Sequence, residues 1–401
     1  MSTSTTGSSI EATPTPPSED HPEEQTKHGP SGQAALLRQV ASSPAVVGLL
    51  AVLTALILSS ILILAADSEV RYTATYLLNR PGDFLHATAS TLSEAYSSLL
   101  RGAVFDWRAT TGVRMIRPIT DTLTNATPLI IAGLGMAVAF RAGLFNIGGQ
   151  GQMILGAITA CYAGIAWNLP PVAHLLLAVV GAGLGGLVWG GIAGVLKART
   201  GANEVIVTIM LNSIAAHLLS QVLSLKAFNG EGETGNRKSL TVADAAQYPS
   251  LAGDSFRLHA GFLLALLVAV AVWWLMERSR LGFQLRATGL NADAARTAGM
   301  SVPWVTSLVM MISGALCGLA ATAPVLGTQK SMDESVVGTI GFDAITVALL
   351  GRSRPLGTVL AGLLFGALRA GAPPCRPHRA PTSRSSWSCS PRSCCSSPRH
   401  P

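Results

Sequence analysis

Charge is the scarcest commodity in this chain. Asp, Glu, Lys and Arg together make up 12% of the 401 residues and aromatics 5%, against 49% hydrophobic residues. A soluble domain carries about twice that share of charge. The apolar content also comes in runs too long for a soluble core, and the mean hydropathy is +0.43. Signatures of catalysis are missing too: there is no GxxxxGK[ST] phosphate loop, no HExxH and no nucleophile elbow, so the chain by itself supplies no recognised ATPase or hydrolase site. The glycines at 148–151 superficially resemble a dinucleotide loop but lack the preceding strand and βαβ context. Of six cysteines, Cys161 and Cys317 fall inside apolar runs and read as packing residues, while Cys375, Cys389, Cys394 and Cys395 crowd the end. No pair in the body has metal or disulfide spacing. The net charge of +7 does not indicate a nucleic-acid partner, because the bases sit in short loops and in the tail rather than along one helix face.

What remains is a series of apolar runs at 45–66, 126–140, 149–167, 172–196, 203–225, 259–276, 303–326 and 342–370, the last interrupted by Arg352, Ser353, Arg354 and Pro355. About 20 residues cross a ~30 Å hydrocarbon layer. The expected fold is therefore all-α, a polytopic transmembrane helical bundle of about eight or nine spans with broken helices, 342–370 forming two half-helices or a kinked one. Residues 1–44, rich in Ser, Thr, Pro and Glu, read as a disordered cytoplasmic tail. Between 67 and 125 a long mixed loop is expected, with an amphipathic interfacial helix over 84–105.

Counting Lys and Arg orients the chain. With the N-terminus inside, Arg141, Lys197, Arg199, Arg278, Arg280, Arg286 and Arg296 face the cytoplasm against Glu277 and Asp293, whereas the outer loops are balanced. The chain is thus expected to be a multi-pass membrane protein with its N-terminus in the cytoplasm.

Three stretches carry polar chemistry. FRAGLFNIGGQGQ, 140–152, places Asn146, Gln150 and Gln152 at the edge of a span, where polar side chains are expensive unless they line a path or pack against protein. In the run at 203–225, Glu204, Thr208, Asn212 and Ser220 share a slowly drifting helix face, with His217 and Gln221 close to it. Both a solute path and hydrogen bonding between helices fit such a stripe, and Glu204 could pair with Arg199 at the cytoplasmic mouth. The basic loop 277–302 predicts a short helix bracketed by Gly289 and Gly299. Gly181, Gly185, Gly186, Gly190 and Gly194 repeat GxxxG spacing and predict close helix packing, as do Gly362 and Gly366.

The sequences FRAGLFNIGGQGQMILGA, GANEVIVTIMLNSIA, LGFQLRATGLNADAARTAGM and ITVALLGRSRPLGTVLAGLLFGALRAG, in this order, closely resemble the permease subunits of bacterial ABC importers of the nucleoside and simple-sugar group, related to the ribose and branched-chain amino acid permeases. The resemblance covers about 94–371, within a permease domain of 45–371. It implies a substrate pathway through Asn146, Gln150, Gln152, Asn203, Glu204 and Asn212, to which the polar helix face adds Thr208. It also implies a coupling helix carrying Arg286, Gly289, Leu290, Asn291, Ala294, Ala295 and Gly299, which docks on a separate ATP-binding subunit. The implied partners are that ABC ATPase, where ATP and magnesium act, a second permease subunit, an extracytoplasmic solute-binding lipoprotein and membrane lipid. No cofactor is implied for this chain. Few permanent charges lie in the spans, so a neutral nucleoside or simple sugar suits the path better than an ion. The alternative is an ion-gradient-driven secondary transporter or channel, which would need titratable carboxylates deep in the spans; Glu204 and Asp343 are the few candidates.

From 372 to 401 the composition changes abruptly, with seven prolines, eight serines, five arginines and four cysteines in the 29 residues from Pro373. Members of the resembled group continue here with an apolar helix, so this stretch reads as a frameshift or truncation; a genuine low-complexity tail is the alternative.

Overall fold

The computed structural model describes residues 44–167, 169–229, 237–251, 253 and 255–371. The expectations for the N-terminal tail and for 372–401 lie outside these residues. Among the described residues the chain forms helices and turns, with only isolated bridges, Lys238 to Asp333 and Ser250 to His259, outside them.

The unit ending at Phe84 contains α1 (Pro44–Ala66), α2 (Ser68–Ala74) and the start of α3 (Pro81–Ala103). The chain bends by 80° between α1 and α2. Asp67 stands at the break, and its carboxylate accepts the N–H groups of Glu69 (2.9 Å) and Val70 (3.0 Å), a side-chain cap that starts the new helix.

The unit from Leu85 onward is a bundle around one central helix, α4 (Gly112–Arg141). Every residue from 126 to 139 is buried, as expected for a helix that is apolar all round. Around it pack α8 (Gly261–Arg278), α11 (Val302–Ala320), α12 (Ile340–Leu350) and α13 (Pro355–Gly371). Beside these lie α5 (Gly149–Ala166), α6 (Pro171–Thr200) and α7 (Glu204–Leu223). α4 begins at Gly112, well before the expected 126, because Arg114, Arg117 and Asp121 break the apolar periodicity without breaking the helix.

The outer helices turn apolar side chains outward: Leu176, Val180, Leu184 and Val188 on α6, Ile206, Met210 and Ile214 on α7, Leu267, Val270 and Trp274 on α8. Patches this continuous are tolerated against lipid, not water. By length and composition α4, α6, α7, α8 and the stretch Val302–Thr328 can each cross a membrane, and α1 with α2 makes a sixth, broken span. The other runs expected to span are helical as well. α5 is made more polar by Gln150 and Gln152, and 342–370 divides into the two short helices α12 and α13 around Arg352 and Arg354. The chain is a multi-pass, all-α membrane protein.

The glycine seam finds its partner in α11. A Cβ at Gly186, Gly190 or Gly194 would collide with the backbone at Gly314 and Gly318, at Met310 or at Ser307, so two backbones lie in direct contact. Past α11 the helix widens into a π turn, Ala323–Thr328, closed by Gln329 N–H to Pro324 O at 2.9 Å. The chain then returns through 329–339 to α12.

Candidate solute pathway and coupling surface

α4 ends in a Schellman cap. Gly143 takes φ 72°, open to glycine at little cost, and Leu144 N–H reaches back to Ala139 O at 3.0 Å. The next residues fold the motif onto itself. Asn146 is fully buried, and its amide pairs reciprocally with Gln152: Nδ2 donates to Gln152 Oε1 (3.0 Å) and Oδ1 accepts from Gln152 Nε2 (3.2 Å). Asn146 Nδ2 also donates to Ser313 Oγ of α11 (2.8 Å), and Oδ1 accepts Gly148 N–H (3.0 Å). From α7, Asn212 accepts Gly151 N–H (2.8 Å) and donates to Ile147 O (2.9 Å). Thr208 is buried one turn away, its hydroxyl returned to Glu204 O (2.6 Å) and its methyl against Gly148.

Asn146, Gln152, Thr208 and Asn212 therefore converge on one turn. The three amides among them are used within the chain, so in this conformation they hold the start of α5 against α7 and α11. Asn203 caps α7 through Val205 N–H (2.9 Å). Glu204 pairs with Lys197 at 2.6 Å, not with Arg199, which corrects the expected partner: the left-handed Gly201 that ends α6 leaves the lysine within reach of the carboxylate. His217 and Gln221, expected near the polar face, are exposed. The buried stripe continues instead through Ala215, Leu219 and Leu223, because a four-residue spacing drifts around a 3.6-residue helix.

Gln150 faces away from that ring. Its Nε2 donates to Gly338 O (2.7 Å) and its Oε1 accepts Gly341 N–H (3.1 Å), which ties the motif to the returning segment and α12. Above that contact, toward the Gly112 end of α4, lies a cavity of about 470 Å³ between α4, the π turn, 335–340 and Arg369. None of the seven expected pathway residues lines it. Its polar lining, which includes Asp121, Asn125, Arg257, Gln329, Thr339 and Arg369, comes from segments far apart in sequence. The one local signal was Asp121 and Asn125, one turn apart at the edge of an apolar run. Arg369 pairs with Asp343 and donates to Thr339 Oγ1 at 2.7 Å. Glu204 and Asp343, the two acids singled out for an ion-driven mechanism, are thus held by bases; a third acid, Asp121 in α4, pairs with Arg117 at 3.7 Å through one oxygen only.

The opposite end of α4 carries the basic surface. Glu277 lies 3.9 Å from both Arg141 and Arg286, and Arg141 Nε donates to Ser353 O (3.1 Å), so α4, α8, α9 (Arg280–Leu290) and the α12–α13 turn meet there. Arg286 also donates to Met276 O. Gly289 is not a helix break as expected: it lies inside the last turn of α9, where a Cβ would strike Arg141 O and Ala142. The break falls at Asn291, whose carboxamide accepts the N–H groups of Asp293 and Ala294 (both 3.0 Å) and starts α10 (Ala292–Thr297). Gly299 ends the motif at φ 82°. Leu290 is 89% exposed and Ala294 is exposed, while Ala295 is buried beneath them. An exposed apolar tip braced by two helices is a surface suited to a partner.

The bundle, the glycine seam and the braced surface define a multi-pass helical membrane protein with a surface suited to a partner. The family described as "Branched-chain amino acid transport system / permease component" matches residues 119–373, and the chain belongs to it. Its relatives include the guanosine ABC transporter permease protein NupP of Bacillus subtilis, 41% identical over 255 residues, covering 63% of this chain and 73% of that one. The glucose ABC transporter permease protein TsgB13 of Haloferax volcanii is 38% identical over 263 residues, covering 63% and 68%. The nucleoside ABC transporter permease protein NupB of Lactococcus lactis subsp. cremoris is 35% identical over 265 residues, covering 64% and 72%.

Proposed function

We propose that this chain is the membrane-spanning subunit of an ABC importer that carries a neutral nucleoside or simple sugar inward, with its N-terminus in the cytoplasm. ATP is hydrolysed on a separate subunit that docks on Leu290–Gly299; a second permease subunit completes the pathway, and a solute-binding lipoprotein delivers solute to the outer face. The observation that carries the reading is the similarity at 35–41% identity to guanosine, nucleoside and glucose permeases. The brace on α9 supports it. Gly289 against the Arg141–Ala142 backbone gives a rigid route by which movement of a docked ATPase reaches the central helix. In this mechanism inward- and outward-open states lie close in free energy, and closure of the ATPase dimer selects between them. The pairing of Glu204 with Lys197 and of Asp343 with Arg369 speaks against the ion-driven alternative.

The test is co-expression with the ATPase subunit of the same transport operon. The two should co-purify, disruption of Ala294–Gly299 should abolish the complex, and the intact system should take up labelled guanosine or glucose. A complex that survives the disruption would remove the docking assignment, and an intact system inert toward every nucleoside and sugar would remove the function.

A further inference from the structure

We infer that the cavity at the Gly112 end of α4 is a solute subsite of the permease, with Asp121, Asn125 and Gln329 as its contacts and a neutral solute with vicinal hydroxyls as its ligand. The inference rests on the permease reading and gives it a location. At about 470 Å³ the cavity falls in the range of small-molecule sites, roughly 300–1,000 Å³. One oxygen of Asp121, Oδ1, is buried with no partner while Oδ2 pairs with Arg117 at 3.7 Å, and the carboxamides of half-buried Asn125 and exposed Gln329 take no hydrogen bond among the described residues. That contrasts with Asn146, Gln152 and Asn212, whose amides are all engaged with one another or with backbone.

The chemistry selects the ligand class. A carboxylate oxygen accepts hydroxyl protons, and a carboxamide both donates and accepts, the combination that a diol satisfies. Of the charged groups at the cavity, Asp121 is paired with Arg117 at 3.7 Å and Arg369 with Asp343, while Arg257 is exposed. The wall is also unusual backbone. The π turn forms one side, and the returning segment holds Lys330 at φ 57° and Gly338 at φ 51°. Gln150 clamps that segment at Gly338 and Gly341, which makes it a positioning residue for the cavity rather than a contact.

The experiment uses the permease–ATPase complex in lipid nanodiscs, without binding protein, carrying Asn125→Cys or Gln329→Cys. The rate at which a membrane-impermeant maleimide alkylates the introduced thiol is read by peptide mass spectrometry with guanosine, glucose or L-glutamate present. At several-fold excess over its dissociation constant, guanosine or glucose should slow alkylation roughly fivefold. L-glutamate should not, and Asp121→Asn should remove the protection. Absence of protection at both positions, in a complex that still transports the solute when its binding protein is restored, overturns the subsite and leaves the permease function standing. A wild-type complex that transports no neutral hydroxylated solute overturns both. Because the two thiols sit on different elements, failure of one variant to assemble leaves the other to decide.

Discussion

At Asn146 a primary amide is buried in a helical bundle, a placement that costs several kcal/mol unless its polar atoms are used. Gln152, Ser313 and Gly148 use them all. Asn146→Leu keeps the volume and strands those three partners, so a loss of about 2–3 kcal/mol is expected in reversible unfolding from mixed micelles. Asn146→Leu with Gln152→Leu should cost less than the two single losses combined, since the second change removes a group the first left unpaired. His259 offers a pH test. It is buried beside Gly327 and stacked on Tyr248 with ring centroids 5.4 Å apart, and burial lowers its pKa from 6.5 to about 4. Between those values the unfolded chain binds the proton and the folded one does not, so stability rises with pH across the window. The contribution is complete above about 6.5 and lost toward 4, roughly 3 kcal/mol in all. His259→Gln should remove that part of the acid sensitivity of the melting temperature between pH 7 and 5. The three motif amides were legible in the sequence as polar residues in an apolar setting. Ser313 and Gly338 were not, because they lie 167 and 188 residues from their partners and nothing local marks them.

At the scale of elements, the bundle stands on backbone-to-backbone contacts. Gly186→Leu would drive a side chain into Gly314 and Gly318, and no rotamer avoids the facing helix. That variant should fail to yield folded, monodisperse protein. Gly183→Ala on the same helix meets only the Leu319 side chain at 3.5 Å, an ordinary contact, and should be neutral or mildly stabilising. The pair separates seam packing from a general intolerance of α6 to change. At the other end Gly289→Val would lift α9 off the Arg141–Ala142 backbone. Insertion and co-purification with the ATPase should persist, while transport per ATP hydrolysed drops about tenfold or more, measured in proteoliposomes. The spacing along α6 was legible from its glycines, and so was the division of 342–370 into two helices. The seam's partner was not, since GxxxG states that something approaches and not what does. The start of α4 was missed because three charged residues masked a helix whose unbroken buried stretch begins only at Ala126.

At the scale of the whole molecule, one end of the bundle is basic and the other is balanced. The fold gathers Arg141, Arg278, Arg280 and Arg286 at one end of α4 and α8, and the α12–α13 turn brings Arg352 and Arg354 to the same end, which a count along the sequence had left unassigned. At the other end Asp121 pairs with Arg117 and Glu334 with Arg237. In the orientation proposed above, the bias of Lys and Arg toward the cytoplasm puts the α9–α10 surface inside and Leu251 outside. Thiols introduced as Thr297→Cys and Leu251→Cys read this out, both positions being exposed. In intact cells an impermeant maleimide should label the cysteine at 251 and reach the one at 297 only after the membrane is opened. The converse pattern would put the basic end outside, beyond any cytoplasmic ATPase, and would remove the coupling role of Leu290–Gly299 along with the orientation. Labelling of both in intact cells would mean that an odd number of crossings between them is wrong, and α8 is the one crossing that separates 251 from 297. The pair therefore tests that helix as a span as well as the direction in which solute is carried.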